Sequence, residues 1–237
     1  YMAQLAAGGT LIAEDVFLPG KWEQVMARER ANGIYLIPSK LLMLPRVFKG
    51  VNANIRTVIS GSQSLGRNDA EVLKKIFPNT EITLYYGASE LNYITYVKSA
   101  DMTEERNLIG KPFPGVRVFI QDDEMYVDNA FHVENITVPY SLRDSGRMDT
   151  QGNFYFLGRT DDIVGVRGRK VSMMKIENAL EEVAGITEAA VILLPKEKDA
   201  DMPAEIVSAF VTVEGTDVPE NLRQQLKARL ADFEIPK

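Results

Sequence analysis

The residue types with the most chemical reach sit in four short stretches. Tyr86-Gly87-Ala88-Ser89-Glu90 places an aromatic ring, a hydroxyl and a carboxylate within five residues. An aromatic face favours a planar base, and a hydroxyl beside a carboxylate supplies hard oxygen ligands of the kind Mg2+ prefers. The stretch from Asp144 to Asp162 carries a carboxylate ahead of the turn Gln151-Gly152-Asn153, then the run Gly158-Arg159-Thr160-Asp161. A carboxylate presents two acceptor oxygens, which suits a diol, and a guanidinium fork such as that of Arg159 matches a phosphate. In Ser60-Gly61-Ser62-Gln63, Gly61 lets backbone approach a ligand closely. Gly168-Arg169-Lys170 sets cationic side chains beside a glycine. Each stretch alone also has a plain reading: a strand-to-helix turn with Glu90 in the first helical turn, a polar strand-to-helix loop, a hairpin with a surface ion pair between Asp144 and Arg159, and a solvated basic turn.

The rest of the composition removes other chemistries. The 237 residues contain no cysteine, so disulfides, thiol catalysis and thiolate metal sites are excluded. His132 is the single histidine, which rules out a multi-histidine metal centre and leaves a histidine-dependent triad without support. A net charge of −6 argues against a general nucleic-acid binder. No apolar run approaches the ~20 residues of a membrane span, and Tyr1 to Thr10 lack a basic flank and cleavage site. The hydrophobic share of 45% and charged share of 25% are those of an ordinary globular protein, and lack of cysteine fits a cytoplasmic one.

The elements that must position these residues are readable in outline. Trp22, Val25, Met26 and Glu29 recur at helical spacing over Lys21 to Asn32, with Gly33 as the expected stop. Ile34 to Ile37 reads as a strand closed by Pro38, and a short helix from Ser39 is interrupted at Pro45. Arg56 to Ile59 is a second strand. Asn68 and Glu71 resemble a capping box opening a helix whose apolar face is Val72, Leu73, Ile76 and Phe77. Ile82 to Tyr86 is a third strand, ending at Gly87. Short apolar strands separated by helices predict a parallel sheet, with ligands beyond the carboxyl ends of the strands. From Leu108 the pattern changes to a small antiparallel sheet or open barrel, with strands flanking Asp122-Asp123 and another at Phe154 to Phe156. From Asp161 a compact α+β module is expected: Ser172 as N-cap, Ile176, Leu180 and Val183 on one helical face, strands at Ala189 to Leu194 and Ile206 to Val213, and a last helix striped by Leu222, Leu226, Leu230 and Phe233.

The four stretches, in this order and separation, resemble the adenylate-forming acyl-CoA ligases, with their relatives the adenylation domains of peptide synthetases and firefly luciferase. The resemblance covers essentially the whole chain. In Tyr86 to Glu90, Ser89 replaces the family threonine and keeps its hydroxyl. In the loop at Gly61, Gln63 stands where proline is common. Leu142-Arg143 precede Asp144 where the family has Thr-Gly. In Gly168 to Glu177, Met173 replaces proline and Lys175 replaces the first glutamate.

The resemblance implies an α/β fold: the C-terminal half of the large adenylate-forming domain over residues 1–160, divided into an α/β part at 1–106 and a β-barrel part at 107–160, then an incomplete small mobile domain at 161–237. It implies roles as well. Tyr86 stacks on adenine with Gly87 beside it, Ser89 bonds a phosphate oxygen, and Glu90 helps hold Mg2+. Asp144 accepts from the ribose hydroxyls, Arg159 contacts phosphate, and Gly61, Ser62 and Gln63 line the adenine pocket. Lys170 is a positive contact to the nucleotide, Asp161 is the hinge, and Gly168 lies by the coenzyme A channel. The implied reaction activates a carboxylic acid, of the fatty acid class, with ATP and passes the acyl group to coenzyme A. The family's phosphate loop is expected upstream of Tyr1 and its catalytic lysine just after Lys237, so the chain itself is expected to be inactive. Two rival readings stay open: an adenylation domain serving a carrier protein, and a nucleotide-binding or interaction protein of this fold that has lost catalysis. The sequence leaves the oligomeric state open.

Overall fold

The computed structural model describes residues 2–14, 16–166, 168–194, 205–213 and 219–236. The chain folds as two compact units, residues 1–84 with 98–100, and residues 85–97 with 101–237. Among the described residues no helix is long and apolar enough to cross a membrane.

The first unit opens with α1 (Met2–Ala6) and α2 (Pro19–Arg28). α2 stops earlier than its apolar spacing predicts. Arg30 takes the left-handed φ of 52° and Ala31 N–H bonds back to Met26 O at 3.0 Å, so the stop falls on Arg30 and not on Gly33. β1 (Gly33–Tyr35) follows, then α3 (Pro38–Leu41) and α4 (Leu44–Val47). The single helix expected from Ser39 is thus two. Pro38 and Pro45 each lie in a first helical turn, where a missing N–H costs nothing. β2 (Thr57–Gly61) pairs with β1 in parallel, with Gly33↔Thr57, Ile34↔Val58 and Tyr35↔Ile59 in register. Ile34 and Val58 are buried, whereas Tyr35 and Ile59 are exposed. α5 (Arg67–Ile76) begins at Gly66, whose N–H donates to Asp69 Oδ2 at 2.9 Å. The cap therefore lies two residues before the expected Asn68. Ala70 joins Leu73, Ile76 and Phe77 in the core, and Val72 turns out to be exposed.

β3 (Glu81–Ala88) starts in the first unit and ends in the second. It continues past Gly87, and the residues after it turn into β4 (Asn92–Lys98), not into a helix. The second unit adds β5 (Leu108–Pro112), β6 (Arg117–Gln121), β7 (Glu124–Asp128), β8 (Tyr140–Met148) and β9 (Phe154–Arg159). Their order is β4-β5-β9-β8-β7-β6, antiparallel throughout, as the change of pattern at Leu108 predicts. Asp122 and Asp123 make the β6–β7 turn with φ of 51° and 66°, a two-residue hairpin connection. Leu91, Ile94 and Val127 form one buried cluster of this sheet, and Ile109, Met125 and Phe154 another.

A 3-10 turn at Thr160–Asp162 leads to the hairpin of β10 (Ile163–Val166) and β11 (Arg169–Ser172). α6 (Met173–Glu181) follows, then the antiparallel pair β12 (Ile186–Leu194) and β13 (Glu205–Val213), then α7 (Leu222–Lys227). Ser172 caps α6 as expected: its Oγ accepts from Lys175 N–H at 3.2 Å, while its hydroxyl donates to Leu157 O at 2.8 Å. Ile176, Leu180 and Val183 are buried with Leu226 and Leu230 in one cluster. The carboxylates of α6 reach β12, where Ala189 N–H donates to Glu181 and Val191 N–H to Glu177, at 3.3 and 2.9 Å. Lys175, a departure from the family pattern, sits 2.7 Å from both oxygens of Glu234, a buried carboxylate.

Candidate functional site

β3, β8 and β9 bring three of the expected residues together. Asp144 on β8 is in register with Arg159 at the end of β9. Tyr86, near the end of β3, donates its hydroxyl to Asp144 Oδ2. Arg159 Nε lies 3.8 Å from Asp144 Oδ1. The Tyr86 ring rests against Phe156 with centroids 5.9 Å apart and planes tilted by 36°. Asp144 is 8% exposed, so the ion pair of the plain reading is not a surface one on the carboxylate side. Burial is the chief cause that raises the Asp144 pKa. The Tyr86 hydrogen bond and the Arg159 charge lower it, and Asp162 raises it. Burial also pushes the Tyr86 phenol far up, with the Asp144 charge adding to it. Both effects keep the phenol protonated, so Tyr86 is the donor of this bond and Asp144 the acceptor.

Asp144 follows a backbone oddity. Arg143 has a φ of 58°, in the left-handed region that favours glycine. Arg143 N–H donates to Ser141 Oγ at 3.0 Å and Arg143 O accepts from Thr160 Oγ1 at 2.8 Å. β8 thus keeps a glycine-like backbone conformation within the strand, where its pairing with β7 shifts register, although the side chain is bulky.

The remaining expected residues are spread over other places. Gly87 lies within β3, where a Cβ would meet Asn92 O at 2.3 Å, so close backbone approach requires glycine there. Ser89 and Glu90 are exposed in the turn before β4, and Glu90 O accepts from Val133 N–H at 2.9 Å. Among the described residues no group of three or more carboxylate or histidine side chains is placed to hold a metal. A single exposed carboxylate such as Glu90 fits an ion held mostly by phosphate oxygens, the usual situation of Mg2+. In the first unit Gly61 ends β2 and Ser62 has a φ of 71°. Gln63 Oε1 accepts from Ser39 N–H at 3.0 Å, so this side chain caps the start of α3. Gly168 and Lys170 belong to the β10–β11 hairpin, with Lys170 exposed. Asp161 lies in the 3-10 turn, and its side chain is outside the described residues. Sequence reasoning missed Phe156 and Asp162 as neighbours of Tyr86 and Asp144. It also missed the Tyr86–Asp144 bond, which joins positions 58 apart with no local signal.

A sequence profile of the AMP-binding enzymes matches residues 1–130. The chain belongs to this family. It is 25% identical over 256 residues to the uncharacterized acyl-CoA ligase YhfT of Bacillus subtilis (strain 168), covering 100% of the chain and 51% of that relative. Bacitracin synthase 1 of Bacillus licheniformis is 29% identical over 216 residues, covering 78% of the chain and 4% of that protein. Among solved structures, ATP-bound MatB from Rhodopseudomonas palustris superposes with a TM-score of 0.81 at 23% identity, over 100% of this chain and 51% of that one. That likeness shows the fold, an α/β architecture of the adenylate-forming type. The chain spans about half the length of YhfT and of MatB.

Proposed function

We propose that these residues form the adenosine-gripping part of an adenylate-forming enzyme. A protein of its relatives' length then activates a carboxylic acid, a fatty acid in our reading, with ATP and transfers the acyl group to coenzyme A. The observation that carries the reading is the cluster of Tyr86 near the end of β3, Asp144 within β8 and Arg159 at the end of β9. The Tyr86 ring offers a face to a planar base, the Asp144 carboxylate an acceptor to a ribose hydroxyl, and the Arg159 guanidinium a contact to phosphate. Ser89 and Glu90, in one exposed turn, supply a hydroxyl to a phosphate oxygen and a carboxylate to Mg2+. ATP with Mg2+ supplies the leaving group and the neutralising charge for the first half-reaction. Gly61 and Ser62 offer backbone groups suited to a base, Lys170 adds a cation, and Gly168 flanks the path of coenzyme A. Asp161 is the hinge between residues 1–160 and the mobile residues 161–237, so that one site serves both half-reactions in turn.

For the 237 residues themselves we propose nucleotide binding without turnover. Calorimetry with AMP is expected to give millimolar or tighter binding, and ATP–pyrophosphate exchange is expected to stay at background. No heat at millimolar AMP would sink the nucleotide reading, and robust exchange would sink the claim of inactivity. The match to bacitracin synthase 1 supports a second reading, in which the acyl acceptor is a carrier-protein thiol. Comparing free coenzyme A with a loaded carrier domain as acceptor decides between the two.

A further inference from the structure

The two oxygens of Asp144 keep different company. Oδ2 accepts the Tyr86 hydroxyl, while Oδ1 faces Arg159 Nε at 3.8 Å, beyond hydrogen-bond reach. Among the described residues no other side chain donates to this carboxylate. Tyr86 is itself held in place: its ring packs on Phe156 and borders both buried clusters of the antiparallel sheet. A phenol so placed has little freedom to swing away when a ligand arrives.

We propose that Tyr86 is the positioning residue of Asp144: its hydroxyl pins Oδ2 and leaves Oδ1, beside Arg159, as the oxygen that a ribose hydroxyl meets. This rests on the nucleotide reading above and adds to it a task for the hydroxyl, separate from any task of the ring. The charged and titratable groups facing Asp144 are Tyr86 from β3, Arg159 from β9 and Asp162 from the 3-10 turn. Burial and Asp162 favour the protonated acid, whereas Tyr86 and Arg159 favour the carboxylate. Removing the phenol hydroxyl deletes one of the two stabilising partners, so the carboxyl takes up its proton at a higher pH. Nucleotide affinity, which needs the anionic acceptor, is full above that pKa and falls away as pH drops through it.

The test is AMP affinity by calorimetry, from pH 8 down through the acid limb of the wild-type profile, for the wild-type chain, Tyr86→Phe and Tyr86→Ala. The titration of AMP's own phosphate is common to all three and cancels in the comparison. In Tyr86→Phe the acid limb is expected to lie about 0.5–1 pH unit higher, which weakens binding at the foot of the limb by roughly three- to tenfold, with a narrower gap at pH 8. Superimposed acid limbs for wild type and Tyr86→Phe, with affinity lost only in Tyr86→Ala, would show that the ring alone matters and overturn the proposal. A wild-type chain that binds no AMP overturns the nucleotide reading instead. The 13C resonance of the Asp144 carboxyl, titrated without ligand in wild type and Tyr86→Phe, then decides for the hydroxyl. A higher midpoint in the variant supports the positioning role, and equal midpoints refute it.

Discussion

Arg143 holds a backbone conformation that an L side chain adopts at a cost of about 1 kcal/mol or somewhat more. Glycine adopts it freely. Arg143→Gly is therefore expected to raise the melting temperature by about 3 °C, the shift of about 1 kcal/mol for a chain of this size. A fall in melting temperature would mean that the arginine side chain's own interactions outweigh the strain. The candidate site was only partly legible at this scale. Tyr86, Asp144 and Arg159 each stood out by type and local pattern. Their assembly did not, because a hydrogen bond between positions 58 apart depends on strand register, which no local window contains. The exposed turn of Ser89 and Glu90 was misread in its plain form for a related reason: five residues ending a strand look alike whether a helix or a second strand follows.

Elements were legible where one residue type forces one geometry. The Asp122-Asp123 turn was such a case, and so was the Ser172 cap. Proline was ambiguous, since Pro45 breaks a helix from inside but opens one from its first turn, and the structure places it in the first turn of a separate α4. Ser172 carries two bonds through one oxygen, accepting within α6 and donating to Leu157 on β9. Ser172→Ala is expected to cost about 2 kcal/mol, roughly one for the cap and one for the bond to the carbonyl. Threonine at this position should recover most of it. Denaturant unfolding measures both, and a loss of under about 0.5 kcal/mol for alanine would refute the dual role.

Across the whole molecule, departures from the family pattern gain meaning from distant partners. Lys175 read as an anomaly in sequence because its partner, Glu234, lies 59 positions on. Glu234 is buried and also accepts from Ala231 N–H at 2.9 Å. Lys175→Met should leave that carboxylate without its cation and cost about 2 kcal/mol, with a coupling of about 1 kcal/mol or more to Glu234→Gln in a double-mutant cycle. Additivity within about 0.3 kcal/mol would show the two side chains to be independent. The carboxylates of Glu177 and Glu181 have a different consequence. They occupy the N–H groups of Val191 and Ala189, donors that a strand from another molecule would otherwise use. α6 thereby acts as a stopper on β12, closing part of a sheet margin against fibrillar growth with two side chains in place of a strand.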